Sequence, residues 1–158
     1  MAHVLAEDAK LYYNTGTYSA PVWSEICNVK DLTLSLDKSE IDVTTRCSGG
    51  FSQFVDGLLD ASVNFGMLYD TEDAAFTALQ TAFFAKTNVE VLVLDGDETP
   101  AAGVTVQGLR AICMVKSFSR NESLGQALMT DVALRPVANN EGAAGANVAP
   151  SWWSETGT

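Results

Sequence analysis

Any chemistry in this chain has to come from a short roster of side chains. The single histidine, His3, stands at the amino-terminal end, where nothing would hold an imidazole rigidly beside a nucleophile, so a Ser-His-Asp or Cys-His centre is not expected. Cys27, Cys47 and Cys113 are odd in number, widely spaced and without a C-x-x-C pair, which reads as reduced thiols filling space in or beside strands. The Ser48-Gly49-Gly50 break lacks the further glycine and the Lys-Ser/Thr of a phosphate loop, and its glycines serve backbone freedom instead. Asp95, Asp97 and Glu98 have the hard oxygens that a cation would take, yet the segment departs from the Asp-x-Asp-x-Asp-Gly calcium pattern and is equally a solvated turn. Asp56 and Asp60 are spaced like a hydrolytic carboxylate pair, but nothing brings them to a cleft. The expectation is no catalytic residue, no cofactor and no metal.

Aromatic side chains carry more information. Phe51 and Phe54 follow the glycine break, and Trp152 and Trp153 stand in a polar carboxy-terminal stretch. These are settings in which a lone subunit would leave large apolar surfaces in water. Burying one such side chain is worth roughly 2–3 kcal/mol, and Trp is enriched at interface hot spots. The aromatics expected at an interface are therefore Phe51, Phe54, Trp152 and Trp153. The alternatives are that loop and tail fold back over their own domain, or that the tryptophans stack on sugar rings.

The elements that must position these residues are mostly strands. The chain has 158 residues, 47% of them hydrophobic and 18% charged, enough for one domain with a real core. Its net charge of −11 argues against a protein that grips nucleic acid through phosphates. No stretch approaches the ~18 apolar residues of a membrane helix, and no secretory leader is apparent, so synthesis in the cytoplasm and no membrane contact are expected.

Alternating residues predict strands over 10–13, 22–26 and 29–36, the last with Leu32, Leu34 and Leu36 on one face. A turn at Asp37-Lys38-Ser39 and a strand over 40–46 would complete a hairpin. After a loop, Val63, Phe65 and Met67 mark another strand. A helix over 71–86 follows, with Asp70 or Thr71 as N-cap and Phe76, Leu79, Ala82 and Phe83 as the stripe that lies on a sheet. Residues 89–94 are apolar on both alternations except at Glu90, as in a central strand covered on both faces. Two long strands, over 104–119 and 127–135, close the domain. The fold class is mainly β, an antiparallel sandwich or barrel with one flanking helix and an extended inter-subunit loop. Residues 1–136 form this domain, and 137–158, rich in Gly, Ala and Asn, read as a tail bearing the Trp pair.

Residues 10–136 resemble the siphophage-type major tail tube proteins. The resemblance rests on the hairpin ending Val43-Thr44-Thr45-Arg46, on Ser48-Gly49-Gly50-Phe51, on the run from Asp56 through Gly57, Leu58, Leu59, Asp60 and Ala61 to Ser62, and on a helix followed by closing strands. It implies self-association into hexameric rings stacked as a tube, with the helix on the outer side and residues 48–60 reaching a neighbouring subunit, which adds Ser48, Gly49, Gly50 and Asp60 to Phe51, Phe54, Trp152 and Trp153 as the expected interface set. It further implies contacts with tail tip and head-proximal terminator proteins, a place in the virion tail, and a lumen through which DNA passes without specific binding. Leu134-Arg135-Pro136 and the tail depart from the family pattern, leaving the tail as an inter-ring contact, an outer decoration or a lumen feature. A second reading is a β-sandwich binding module for carbohydrate or protein that uses the tail aromatics.

Overall fold

The computed structural model describes residues 3–137 and 147–158. Strong alternation and β-branched content produce eight strands: β1 (Lys10–Asn14), β2 (Trp23–Glu25), β3 (Val29–Asp42), β4 (Phe54–Leu68), β5 (Asn88–Leu94), β6 (Thr105–Asn121), β7 (Met129–Pro136) and β8 (Ser151–Thr156). All belong to one antiparallel sheet in the order β2-β1-β5-β6-β7-β4-β3, which curls into a half-barrel. β8 pairs with β6 along Thr105 to Arg110, while β7 takes the same strand from Cys113 onward. The two thus divide the length of β6 between them.

One helix, α1 (Ala74–Ala85), lies on the sheet. It begins at Ala74, three residues beyond the start expected at Thr71, because its N-cap is Asp73, whose carboxylate accepts the Ala75 N–H at 3.0 Å and so satisfies an otherwise orphan donor. Lys86 ends the helix in the left-handed region, φ +57°. The expected stripe is the buried one: Phe76, Leu79 and Ala82 are inaccessible and Phe83 is partly covered. They meet Val63, Phe65 and Met67 of β4, the odd-numbered residues of β5, and Val132 and Leu134 of β7. Phe76 sits at the centre, with Tyr69 and Phe118 rings 5.0 and 5.5 Å away.

β5 is covered on both faces, as its composition predicts. Val89, Val91 and Val93 face the helix-side core, and Leu92 and Leu94 face a second cluster with Tyr12, Val106, Trp23 and Trp153. Glu90, the polar exception, is buried on that second face. Its carboxylate accepts from Arg110 Nε, and from Asn14 Nδ2 at 2.6 Å. Arg110 also donates to the Tyr18 carbonyl at 2.8 Å and lies 4.2 Å over the Tyr18 ring. This pins the segment between β1 and β2 onto the sheet.

Two expectations need correction. No turn forms at Asp37-Lys38-Ser39: β3 continues through it with a register shift at Ser39, pairing Asp37 with Asp60 and Lys38 with Leu59. The hairpin is instead β3 with β4, and its loop is only residues 43–53. Within the stretch expected as a tail, Ser151–Thr156 is a strand of the main sheet, because β6 extends beyond β7 and its open edge takes a partner. The Gly/Ala/Asn-rich residues 138–146 of that stretch lie outside the described residues.

Candidate functional site

The β3–β4 hairpin outruns the rest of the sheet. β7 pairs with β4 only from Val63 to Leu68, so Phe54 to Ser62 have β3 on one edge and no strand on the other among the described residues. The result is a two-stranded arm, an arrangement that is marginal by itself in water. Gly57 is required within it. A Cβ there would stand 2.1 Å from Ser39 Oγ and 2.8 Å from the Ser39 carbonyl oxygen. Ser39 Oγ occupies that space and accepts the Leu58 N–H at 2.8 Å, holding a bulge at the register shift between Lys38 and Glu40.

The arm tip is ordered by its own polar groups. Val43 N–H donates to the Gln53 carbonyl at 2.9 Å, and Gln53 N–H to Thr44 Oγ1 at 2.9 Å. Ser48 Oγ accepts the Thr45 N–H at 2.9 Å, and Gly49 and Gly50 turn the chain at φ +66° and +85°, values that glycine adopts without steric cost. Asp42 accepts the Thr44 N–H at 2.8 Å. Hydrogen bonds from the Thr44 side chain and backbone hold its carboxyl below the usual carboxylate range.

Apolar side chains on the arm stand in solvent. Phe51 is 78% exposed, Leu58 85% and Leu59 79%, with Phe54, Val55, Leu36 and Ile41 about half exposed. The arm is also acidic. Asp37 faces Asp60 and Glu40 faces Asp56 directly across the ladder, and like charges so placed are destabilising. Lys38 relieves Asp56 at 3.1 Å and Arg135 relieves Asp60 at 3.4 Å.

Of the expected interface residues, Ser48, Gly49, Gly50 and Phe51 are together at the arm tip. Phe54 and Asp60 lie in β4 rather than in a loop, since the ladder continues to Asp42↔Phe54. Trp152 and Trp153 sit on β8 against β6. Trp152 is 58% exposed and donates to Gln107 Oε1 at 3.0 Å, and Trp153 packs on the second cluster of its own subunit. Leu58 and Leu59, the most exposed large apolar residues of β4, fall within the 48–60 stretch expected to reach a neighbour but were not singled out in it. The available signal was two adjacent leucines between two aspartates.

The side chains considered for chemistry are otherwise occupied or scattered. Asp97 is ion-paired with Lys10, which holds its carboxyl low and the lysine high, and Asp95 Oδ1 accepts the Gln107 N–H at 2.8 Å. Among the described residues no group of three or more His, Cys, Asp or Glu is placed to hold a metal ion. Cys113 is fully buried, which pushes its thiol up to about 12, while Cys27 and Cys47 are exposed.

No protein-family model and no curated protein matches the sequence. Solved structures do. A subunit from the tail of an empty gene transfer agent particle, solved with C6 symmetry, superposes at TM-score 0.70, with 16% identity over 94% of this chain and 98% of that one. The SPP1 tail tube gives 0.68, with 10% identity over 98% and 81%. A chain of the anti-feeding prophage baseplate gives 0.61, with 10% identity over 97% and 97%. The chain has the tail-tube fold. The match covers a larger share of the chain than residues 10–136 make up, so the tail-tube fold takes in part of the carboxy-terminal stretch, which had no counterpart by sequence. In the tail-tube fold of this chain the arm is the feature that its own core does not use.

Proposed function

We propose that this protein is a structural subunit that self-assembles into hexameric rings stacked as a tail tube, the conduit for DNA in a virion tail. The observation that carries the reading is the arm: a two-stranded extension with Phe51, Leu58 and Leu59 more than three-quarters exposed, in a fold shared with a gene transfer agent tail of C6 symmetry. An edge and a set of apolar side chains left open in the free subunit are what a self-assembling protein closes on its neighbours. A ring in which each copy offers one patch and receives on a different one is a heterologous, closed arrangement, and stacking it makes a tube. The net charge of −11 suits a wall past which DNA slides without sticking. Contacts with tail tip and terminator proteins at the two ends of the tube belong to the same proposal, as does assembly in the host cytoplasm. No enzymatic role is proposed.

The glycan-binding reading is weaker, because stacking on sugars needs free indole faces and Trp153 is packed against Tyr12, Leu92, Leu94 and Val106 of its own subunit. Negative-stain microscopy of concentrated protein tests the proposal. Rings or tubes are expected, and a strictly monomeric protein under all conditions would contradict it.

A further inference from the structure

The proposal leaves open where on a second copy the arm binds. An arm that is apolar and over-supplied with carboxylates calls for a receiving surface with exposed apolar area, no carboxylates of its own and an unpaired cation. The chain holds 20 acidic residues, yet 74–89 contain none, and the one charge in that span is Lys86. This span is α1 and the turn after it. The outward side of the helix and the turn present Thr77, Gln80, Thr81, Phe84 and Lys86, all exposed, and among the described residues no salt bridge occupies Lys86. Phe84 is 73% exposed, with its ring set edge-on against Phe83 at 5.3 Å. A solvated helix face in so acidic a protein would ordinarily carry charge. A neutral face with an exposed aromatic has the composition of an interface centre, where charged residues are depleted and aromatics enriched.

Beside this face runs a cleft of about 700 Å³, lined on the helix side by Thr77 and Thr81 and at the helix end by Thr87 and Asn88. The only carboxylate in its lining is Glu90, already bonded to Arg110 and Asn14. The cleft is therefore open to an apolar side chain and does not repel an acidic arm. Other surfaces fit less well. Lys116 stands two residues from Met114 in β6, which is 42% exposed, and Lys30 lines a cleft with Leu68, 38% exposed; neither of these neighbours is an aromatic.

We infer that the arm of one copy docks along the outer face of α1 in a second copy, with Leu58 against Phe84 and the neighbouring cleft, and Lys86 meeting Asp37 and Glu40, which share the Leu58 face of the ladder. This rests on the tube-subunit reading and gives it a direction: the arm is the donor and the helix the receiver. Docking would also place a cation near two like-charge cross-strand pairs, which favours ordering of the arm in the assembled state over the free one.

The test uses the full chain with Phe84→Ser and Lys86→Glu together, beside wild type and a Leu124→Ser control at a fully exposed site outside both surfaces. Sedimentation should show the F84S/K86E protein needing at least about 10-fold higher concentration to assemble, with thermal unfolding unchanged and the control behaving as wild type. Adding Asp37→Lys and Glu40→Lys to Lys86→Glu should recover assembly relative to Lys86→Glu alone, since the charges are then exchanged. If wild type assembles and F84S/K86E assembles equally well, the arm docks elsewhere and this inference falls while the tube reading stands. If wild type never assembles, both fall.

Discussion

Replacing Leu58 and Leu59 by serine should separate folding from assembly. In the free subunit these side chains are 85% and 79% exposed, so each has only about a fifth of its area to lose from the fold. With about 1.5–3 kcal/mol for fully burying a leucine, the monomer should lose about 0.5–1 kcal/mol in total. In an assembled contact that buries the remaining four-fifths of both, the loss is about 2.4–4.8 kcal/mol per contact. At about 1.4 kcal/mol per factor of ten, the assembly midpoint should rise about 50- to 3,000-fold. Sedimentation velocity across a concentration series reads that midpoint, and thermal unfolding of the dilute monomer reads the fold. A folded variant that assembles at the wild-type concentration would refute the argument, as would a variant whose monomer melts many degrees lower, because the leucines would then belong to the subunit core.

Four further outcomes follow from the structure. Phe76→Ala, at the centre of the helix-side core and 1% exposed, should cost about 3–5 kcal/mol of stability in denaturant titration. Gly57→Ala should disorder the bulge, because the new Cβ meets the Ser39 side chain and backbone; amide exchange should quicken over the arm and stay unchanged in β5 and β6, and Ser39→Ala should restore it only in part. The Asp97 carboxyl is held low by Lys10, and Lys10 is held high by Asp97. Their contribution is accordingly present between the ordinary carboxylate and ammonium ranges, about pH 4 to 10. It fades as acid protonates Asp97 and as base deprotonates Lys10, so the melting difference between wild type and Asp97→Asn should be largest near neutrality and shrink as the pH falls below the ordinary carboxylate range. Thiol reagents should modify Cys27 and Cys47 in the native protein and reach Cys113, pushed up to about 12 by burial, only on unfolding.

The parts of the fold legible in the sequence were those fixed by local periodicity. Leu32 and Leu34, the stripe from Phe76 to Phe83 and the two-sided run from Val89 to Leu94 each state their element and their buried face, whereas Leu36, next in the same alternation, is half exposed on the arm. The arm was half legible. Asp37-Lys38-Ser39 has turn composition, but its strand conformation is set by residues some twenty positions away, through the ladder to Leu59 and Asp60 and the fit of Ser39 against Gly57. β8 was hidden for a similar reason: Ser151 to Thr156 has little alternation, and its conformation comes from the open edge of β6. The Glu90–Arg110 pair needed the β5–β6 register, though a lone charge within each of two apolar runs was a usable sign. Exposed apolar residues of the arm were legible where an aromatic stood beside glycine and not where they stood in a strand, because exposure on a projecting strand depends on what does not cover it.

The account stands or falls on where the arm goes. A helical reconstruction of assembled protein by electron cryo-microscopy, at a resolution that traces β3 and β4, measures this directly. The predicted result is a six-fold tube in which residues 54–62 lie against a neighbouring subunit, with Leu58 and Leu59 excluded from solvent. An arm standing free in solvent, or folded back over its own sheet, would contradict it.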